Sequence, residues 1–172
     1  MCGRYELSPF LKDKIGKQLQ QKAEEKKLEY ATGEVFPGSD CLVIVGKGKD
    51  KIDLEVKHWG IPLKSLLINA RMESLDRPLY RHMKRCIVIA NGFYEWKDKR
   101  KYHISRNDPY LYLAALYNDK DEFVILTGPA EESMKEIHER TPILLDRGGM
   151  LEYLLRAREI RVDDTGLSIR EV

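Results

Sequence analysis

Between Cys41 and Thr127 the sequence alternates short apolar runs with turn chemistry, and this rhythm constrains the fold more than any other feature. Cys41 to Val45 and Cys86 to Ala90 are unbroken apolar runs of strand length, as expected for strands buried on both faces. Ile52 to Trp59 places Ile52, Leu54, Val56 and His58 at alternate positions after the turn-forming Gly46-Lys47-Gly48-Lys49-Asp50, which predicts a hairpin. Leu66 to Arg71 is a further strand candidate. Asn91-Gly92 signals a tight turn, and Phe93 to Lys97, Tyr102 to Ser105, Tyr110 to Tyr117 and Glu122 to Thr127 follow in meander-like succession. The middle of the chain therefore reads as a mostly antiparallel sheet.

Helices flank it. A short strand over Gly3 to Leu7 leads to Ser8-Pro9, an N-cap followed by proline at the first helical position, and a helix to about Lys27 with Leu11, Ile15 and Leu19 on its apolar face. Shorter helices are expected over Pro78 to Lys84, Glu131 to Glu139 and Gly148 to Ala157, with strands at Thr141 to Leu145 and Ile160 to Val162. Strands outnumber helices, so the class is α+β, and 172 residues without repeats or low-complexity linkers suit a single compact domain.

Composition narrows the function only a little. A net charge of +2 permits nucleic acid without announcing it. Cys2, Cys41 and Cys86 are odd in number and far apart, which indicates neither a disulfide framework nor a zinc site. No cofactor or metal is expected. No apolar stretch approaches the roughly 18 residues of a membrane span and no leader-like run opens the chain, so a cytoplasmic, monomeric protein is expected.

The chemistry begins at Met1-Cys2-Gly3-Arg4. Removal of Met1 would leave an amine and a thiol on adjacent carbons of Cys2, a 1,2-aminothiol. Such a pair condenses with an aldehyde through its amine and then closes a thiazolidine through its thiol. With an α-amino pKa near ~8 against ~10.4 for lysine, about a tenth of the amine is neutral at pH 7. A small buried hydrophobe is the plainer reading of the same cysteine. Asn69 and Arg71 are two apart on a strand, hence on one face, and together offer an amide and a cation to a phosphodiester or a developing alkoxide; an Arg on an exposed strand face is more usually plain surface. Glu95, between Tyr94 and Trp96, is a general acid and base if its face points inward, or an edge-strand carboxylate paired with Lys97 or Lys99. His138 lies where a helix must end before Pro142, a place suited to a proton shuttle. Trp59-Gly60-Ile61-Pro62 reads either as an aromatic and proline wedge against an unstacked base or as core and turn.

Taken together, the ordered segments Met1-Cys2-Gly3-Arg4-Tyr5, Trp59-Gly60-Ile61-Pro62, Asn69-Ala70-Arg71-Met72-Glu73-Ser74, Arg85-Cys86, Asn91-Gly92-Phe93-Tyr94-Glu95-Trp96-Lys97 and Ile137-His138-Glu139-Arg140-Thr141-Pro142 resemble the SRAP (SOS response-associated peptidase) family over most of the chain. The resemblance implies a barrel-like twisted core and a sensor of abasic sites in single-stranded DNA that becomes covalently crosslinked to them. It makes Cys2 the crosslinking residue, with Asn69 orienting its amine, Arg71 holding a flanking phosphate, and Glu95 and His138 handling protons. Arg4, Trp59, Pro62, Arg77, Arg85 and Trp96 become the expected DNA contacts. Two other functions use the same residues. One is a peptidase or amidohydrolase with Cys2 as N-terminal nucleophile, and the other a non-covalent single-strand-binding module.

Overall fold

A computed structural model describes residues 1–172 except 11–12, 156–159, 161 and 164. Two sheets face each other across one apolar core. The larger is built on the three apolar runs: Asp40–Gly46, Lys84–Ala90 and Leu111–Tyr117 lie side by side, antiparallel, with Val43 opposite Val88 and Leu113 opposite Val88 on its other side. Cys41 through Val45 and Cys86 through Ala90 are buried at every position, as unbroken apolar runs require. Ile52–Trp59 pairs with Asp40–Gly46 as the predicted hairpin.

The strand Glu122–Pro129 ties this sheet together. It is antiparallel to Leu111–Tyr117, and parallel both to Trp59 through Phe123 and to Asn69–Arg71 through Ile125, Leu126 and Thr127. The sheet therefore curls without forming a closed barrel, and it is mixed rather than purely antiparallel. The second sheet has five strands in the order Leu167–Glu171, Arg100–Arg106, Gly92–Lys97, Tyr5–Leu7, Gly33–Val35. Tyr5, Leu7, Phe93 and Ile104 point from it into the core.

Several elements differ from the sequence reading. Asn91-Gly92 does not turn a hairpin; the chain crosses there from the larger sheet to the smaller one. Asn91 fixes the crossing by accepting from Ser8 N–H at 2.7 Å and donating to Pro109 O at 2.8 Å. Gly92 is required because a Cβ there would lie 2.3 Å from His103 Nε2 and 2.8 Å from Ile104 O. The first helix spans Lys14–Glu25 and is capped by Asp13, whose carboxylate accepts from Gly16 N–H at 2.8 Å, so a nearer cap replaces Ser8. Leu11 lies outside the described residues; Ile15 and Leu19 are half-buried as expected.

The helix expected from Pro78 stops at Arg81, and the one expected from Glu131 is a 3₁₀ helix over Glu132–Glu136. The last helix is Arg147–Leu155; its expected end at Ala157 is outside the described residues, as is Arg161. Ile160 and Val162 are not in a strand, and the closing strand is Leu167–Glu171 instead. No helix among the described residues is long and apolar enough to cross a membrane.

Candidate active site

Strand register brings the N-terminus to Glu95. Tyr5 sits opposite Phe93 and Tyr94 N–H donates to Arg4 O at 2.9 Å, so the residues before Arg4 run alongside Glu95. Alternation along Gly92–Lys97 turns Glu95 inward with Phe93, and it is 3% exposed. From the other sheet, the 3₁₀ helix Glu132–Glu136 ends just before His138, and Arg140–Pro142 then pairs with Thr127–Pro129. The three segments converge. The α-amine of Met1 lies 2.9 Å from Glu95 Oε1, and 3.2 and 3.0 Å from His138 Nδ1 and Nε2. Cys2 is fully buried beneath it, with its Sγ 4.0 Å from Arg4 O.

Burial pushes the Glu95 carboxyl above the ordinary carboxylate range, against the opposing pull of the N-terminal ammonium and of His138. Burial, reinforced by the charge of Glu95, likewise pushes the Cys2 thiol up to about 12, so in the chain that retains Met1 the sulfur is a thiol at neutral pH. The imidazole is provided for in both of its states. Its Nδ1 lies 3.0 Å from Arg140 N–H, which it accepts from when neutral, and 3.1 Å from Arg140 O, which it donates to when protonated. A ring that keeps a partner either way can pass a proton without moving.

A cleft of about 560 Å³ opens from Met1 and His138 past Asn69, Arg71, Arg77 and Arg140. Pairing of Asn69–Arg71 with Ile125–Thr127 builds its floor. Asn69 is 8% exposed; its Nδ2 donates to Ile125 O at 3.4 Å while its Oδ1 is a buried acceptor with no partner. Arg71 and Arg77 are exposed on the cleft, a placement suited to phosphates. Glu95, read as either catalytic or paired with Lys97 or Lys99, is paired with the N-terminal amine.

The sequence reading gave no role to the side chains that brace this wall. Arg140 forms a bidentate pair with Glu73 at 3.0 and 2.9 Å and donates to Thr127 O at 2.8 Å, which fixes the residue whose backbone holds His138. Arg140 in turn draws the Glu73 carboxyl below its ordinary range. Both residues lay inside quoted motifs, Glu73 two positions after Arg71 and Arg140 two after His138, but only the parallel strand pairing reveals that they meet.

The expected DNA contacts divide. Arg4 lies beside Cys2, paired with Glu34 at 3.1 Å, its guanidinium 4.0 Å from the Phe36 ring and 5.1 Å from Trp96, which is 37% exposed. Pro62 is exposed, next to the exposed Leu63 and Leu66 on a short ribbon, while Leu67 of that ribbon lines the cleft. Trp59 is not a wedge. It is fully buried, stacked on Phe123 at 6.2 Å and tilted against Tyr5 at 5.4 Å, with its indole N–H donating to Ile68 O at 3.1 Å, so no base can reach its face. Its position in a pairing strand places it in the core, and Gly60 at φ 121° turns the chain outward after it.

Arg85 is also elsewhere. It donates to Tyr153 O at 3.0 Å and, with Lys84, lines a separate cleft of about 500 Å³ that shares no residue with the first. His58 and His103 hold Asp40 and Glu6 at 2.9 and 2.8 Å, away from Met1. No group of three metal-ligating side chains occurs among the described residues.

Comparison with known proteins agrees with the motifs. The chain is 28% identical to the abasic site processing protein YedK of Escherichia coli over 180 residues, covering 90% of this chain and 79% of that protein. It is 30% identical to the abasic site processing protein YoaM of Bacillus subtilis over 181 residues, with the same coverage of 90% and 79%. Among solved structures, a phage-related protein of Bordetella bronchiseptica superposes with a TM-score of 0.72 at 22% identity, over 99% of this chain and 94% of that one, which establishes the shared fold. A second Bordetella bronchiseptica protein superposes with a TM-score of 0.68 at 16% identity, over 99% of both chains. A sequence model of the SOS response associated peptidase (SRAP) family matches residues 1–167, and the chain belongs to that family.

Proposed function

We propose that this protein captures abasic sites in single-stranded DNA through a covalent bond to Cys2, formed after Met1 is removed. The observation that carries this reading is the N-terminal amine seated between Glu95 and His138, next in the chain to the buried Cys2. While Met1 is attached the Cys2 nitrogen is an amide and the amine in the site belongs to Met1. Met1 itself is 61% exposed, open to an aminopeptidase. Its departure clears the end of the cleft that Asn69, with its unpartnered Oδ1, also lines.

The steps follow from what each group can do. An abasic sugar is a closed hemiacetal that must open to an aldehyde, which needs a proton delivered to the ring oxygen and one taken from the 1′ hydroxyl; Glu95, kept protonatable by burial, serves both. The Cys2 amine, its lone pair oriented by a hydrogen bond donated to Asn69 Oδ1, adds to C1′. Loss of one water, with the proton passed through Glu95 or His138, gives the imine. The thiol then adds to the imine carbon, its proton moving to the nitrogen, and closes the thiazolidine. Arg71 and Arg77 hold the flanking phosphates.

The order of events distinguishes this from hydrolysis by a Cys2 nucleophile. Attack on an amide wants a thiolate, whereas here the amine acts first and the thiol adds afterwards to an activated carbon. Incubation with a single-stranded oligonucleotide bearing one abasic site, run on a denaturing gel, tests the proposal: a heat-stable shifted band is expected, and amide hydrolysis without a band would favour the peptidase.

A further inference from the structure

The outer face of the five-stranded sheet carries a row of side chains that the chemistry above does not use. Alternation that buries Phe93, Glu95 and Ile104 sends Tyr94, Trp96, Lys101 and His103 outward. There aromatic rings and cations alternate without a break. Arg4 lies 4.0 Å from the Phe36 ring and 5.1 Å from Trp96; Lys101 lies 5.8 Å from Trp96 and 4.2 Å from Tyr94; the Tyr94 ring lies 5.1 Å from His103. Beyond His103 its register partner Arg170 borders a recess of about 400 Å³.

We infer that this ladder is a track for the strand flanking the reactive site, with Tyr94 as a stacking surface and Arg170 as a phosphate contact at its far end. The inference rests on the abasic-site reading for the identity of the strand. Three features favour single-stranded nucleic acid over an acidic peptide. The row starts at Arg4 and Trp96, the neighbours of Cys2 and Glu95. Its other cations are already engaged, Arg4 and Lys101 by Glu34 at 3.1 and 2.6 Å, and His103 by Glu6 at 2.8 Å, so what the face offers is fixed π surfaces. Arg170 is exposed and forms no ion pair with a described residue. Three inter-strand steps of about 4.8 Å from Arg4 to Arg170 give roughly 14 Å of surface, enough for on the order of four stacked nucleotides.

The test compares abasic oligonucleotides carrying two nucleotides on each side with ones extended by eight on the 5′ or the 3′ side. The wild-type chain should crosslink faster at subsaturating concentration when one particular side is extended. Tyr94→Ala should remove roughly tenfold of that gain and Arg170→Glu a comparable part, both leaving the short substrate unchanged, and Tyr94→Phe should restore it. In a Cys2→Ala background, Arg170→Glu should also lower the salt dependence of binding to undamaged single strands by about 0.7 in slope. An unchanged extension effect in the variants, or no extension effect in the wild type, overturns the track. If the wild type forms no adduct with any oligonucleotide, the crosslinking reading falls, and the binding measurement decides the track alone. Competition by polyglutamate equal to that by DNA would overturn the choice of ligand.

Discussion

Replacing Glu95 by Gln isolates the proton chemistry of the site from its shape. The side chain is nearly isosteric, 3% exposed, and its Oε1 lies 2.9 Å from the amine, so the variant keeps the contact surface and loses the charge together with the ability to give and take a proton. A directly placed general acid and base contributes about 10²–10⁴ in rate. Because Gln retains a hydrogen bond to the amine, the loss should fall near the lower end, about 10²–10³. That corresponds to roughly 3–4 kcal/mol of barrier at about 1.36 kcal/mol per decade.

Stability should move the other way. The folded-state carboxyl titrates above its ordinary value of 4.5, so its favourable contribution is present below the unfolded-state pKa and is lost as pH rises through the folded one. Above the folded-state pKa the ionised group costs stability, and Glu95→Gln should melt no lower than wild type there, an advantage that fades as pH falls below 4.5. Single-turnover crosslinking paired with thermal melts at pH 7 and pH 4 measures both quantities. A rate within fivefold of wild type, or a slow variant that is also strongly destabilised, would refute the assignment.

Trp59→Ala should cost about 3–5 kcal/mol of stability through the cavity left between Phe123 and Tyr5, while Trp59→Phe should cost less and bind single-stranded DNA as well as wild type; equilibrium denaturation and anisotropy check the pair. Glu73→Gln should loosen Arg140, whose backbone holds His138, and slow single-turnover crosslinking by about tenfold; an unchanged rate would contradict the brace. In the chain that retains Met1, burial holds the thiols of Cys2, Cys41 and Cys86 far above their ordinary range, so alkylation at pH 8 should be slow for all three and accelerate on unfolding; fast labelling of Cys2 would contradict its burial.

Local chemistry made much of the fold legible. The apolar runs at Cys41 and Cys86, the alternation from Ile52 and the turn after Gly46 each name an element whose partner lies close in sequence. Pairings over long separations left no such trace. Nothing local announces that Asn69 to Arg71 runs parallel to Ile125 to Thr127, or that Trp59 meets Phe123, so the choice between wedge and core at Trp59 waited on the pairing. Asn91-Gly92 misled for a different reason: its glycine answers to the His103 ring across the sheet rather than to a turn.

At the site, Cys2, Glu95 and His138 were readable as reactive types and are brought together by register, while Asn69, Arg71 and Arg77 share the adjoining cleft. Arg85 lies apart from that cleft because its neighbour in space is Tyr153, on the helix Arg147–Leu155. Glu73 and Arg140 escaped notice because a charge in a motif does not reveal its partner.

The central claim is that a free amine and thiol on Cys2 form the adduct together. Chain lacking Met1, verified by mass, should be compared with chain that retains Met1 and with processed Cys2→Ala, each incubated with single-stranded DNA bearing one abasic site. The processed wild type alone should give a band that survives heat and denaturant, while the other two should give at most an imine that appears after borohydride reduction. A heat-stable band of equal intensity from the Met1-retaining chain, or none from the processed one, would contradict the account.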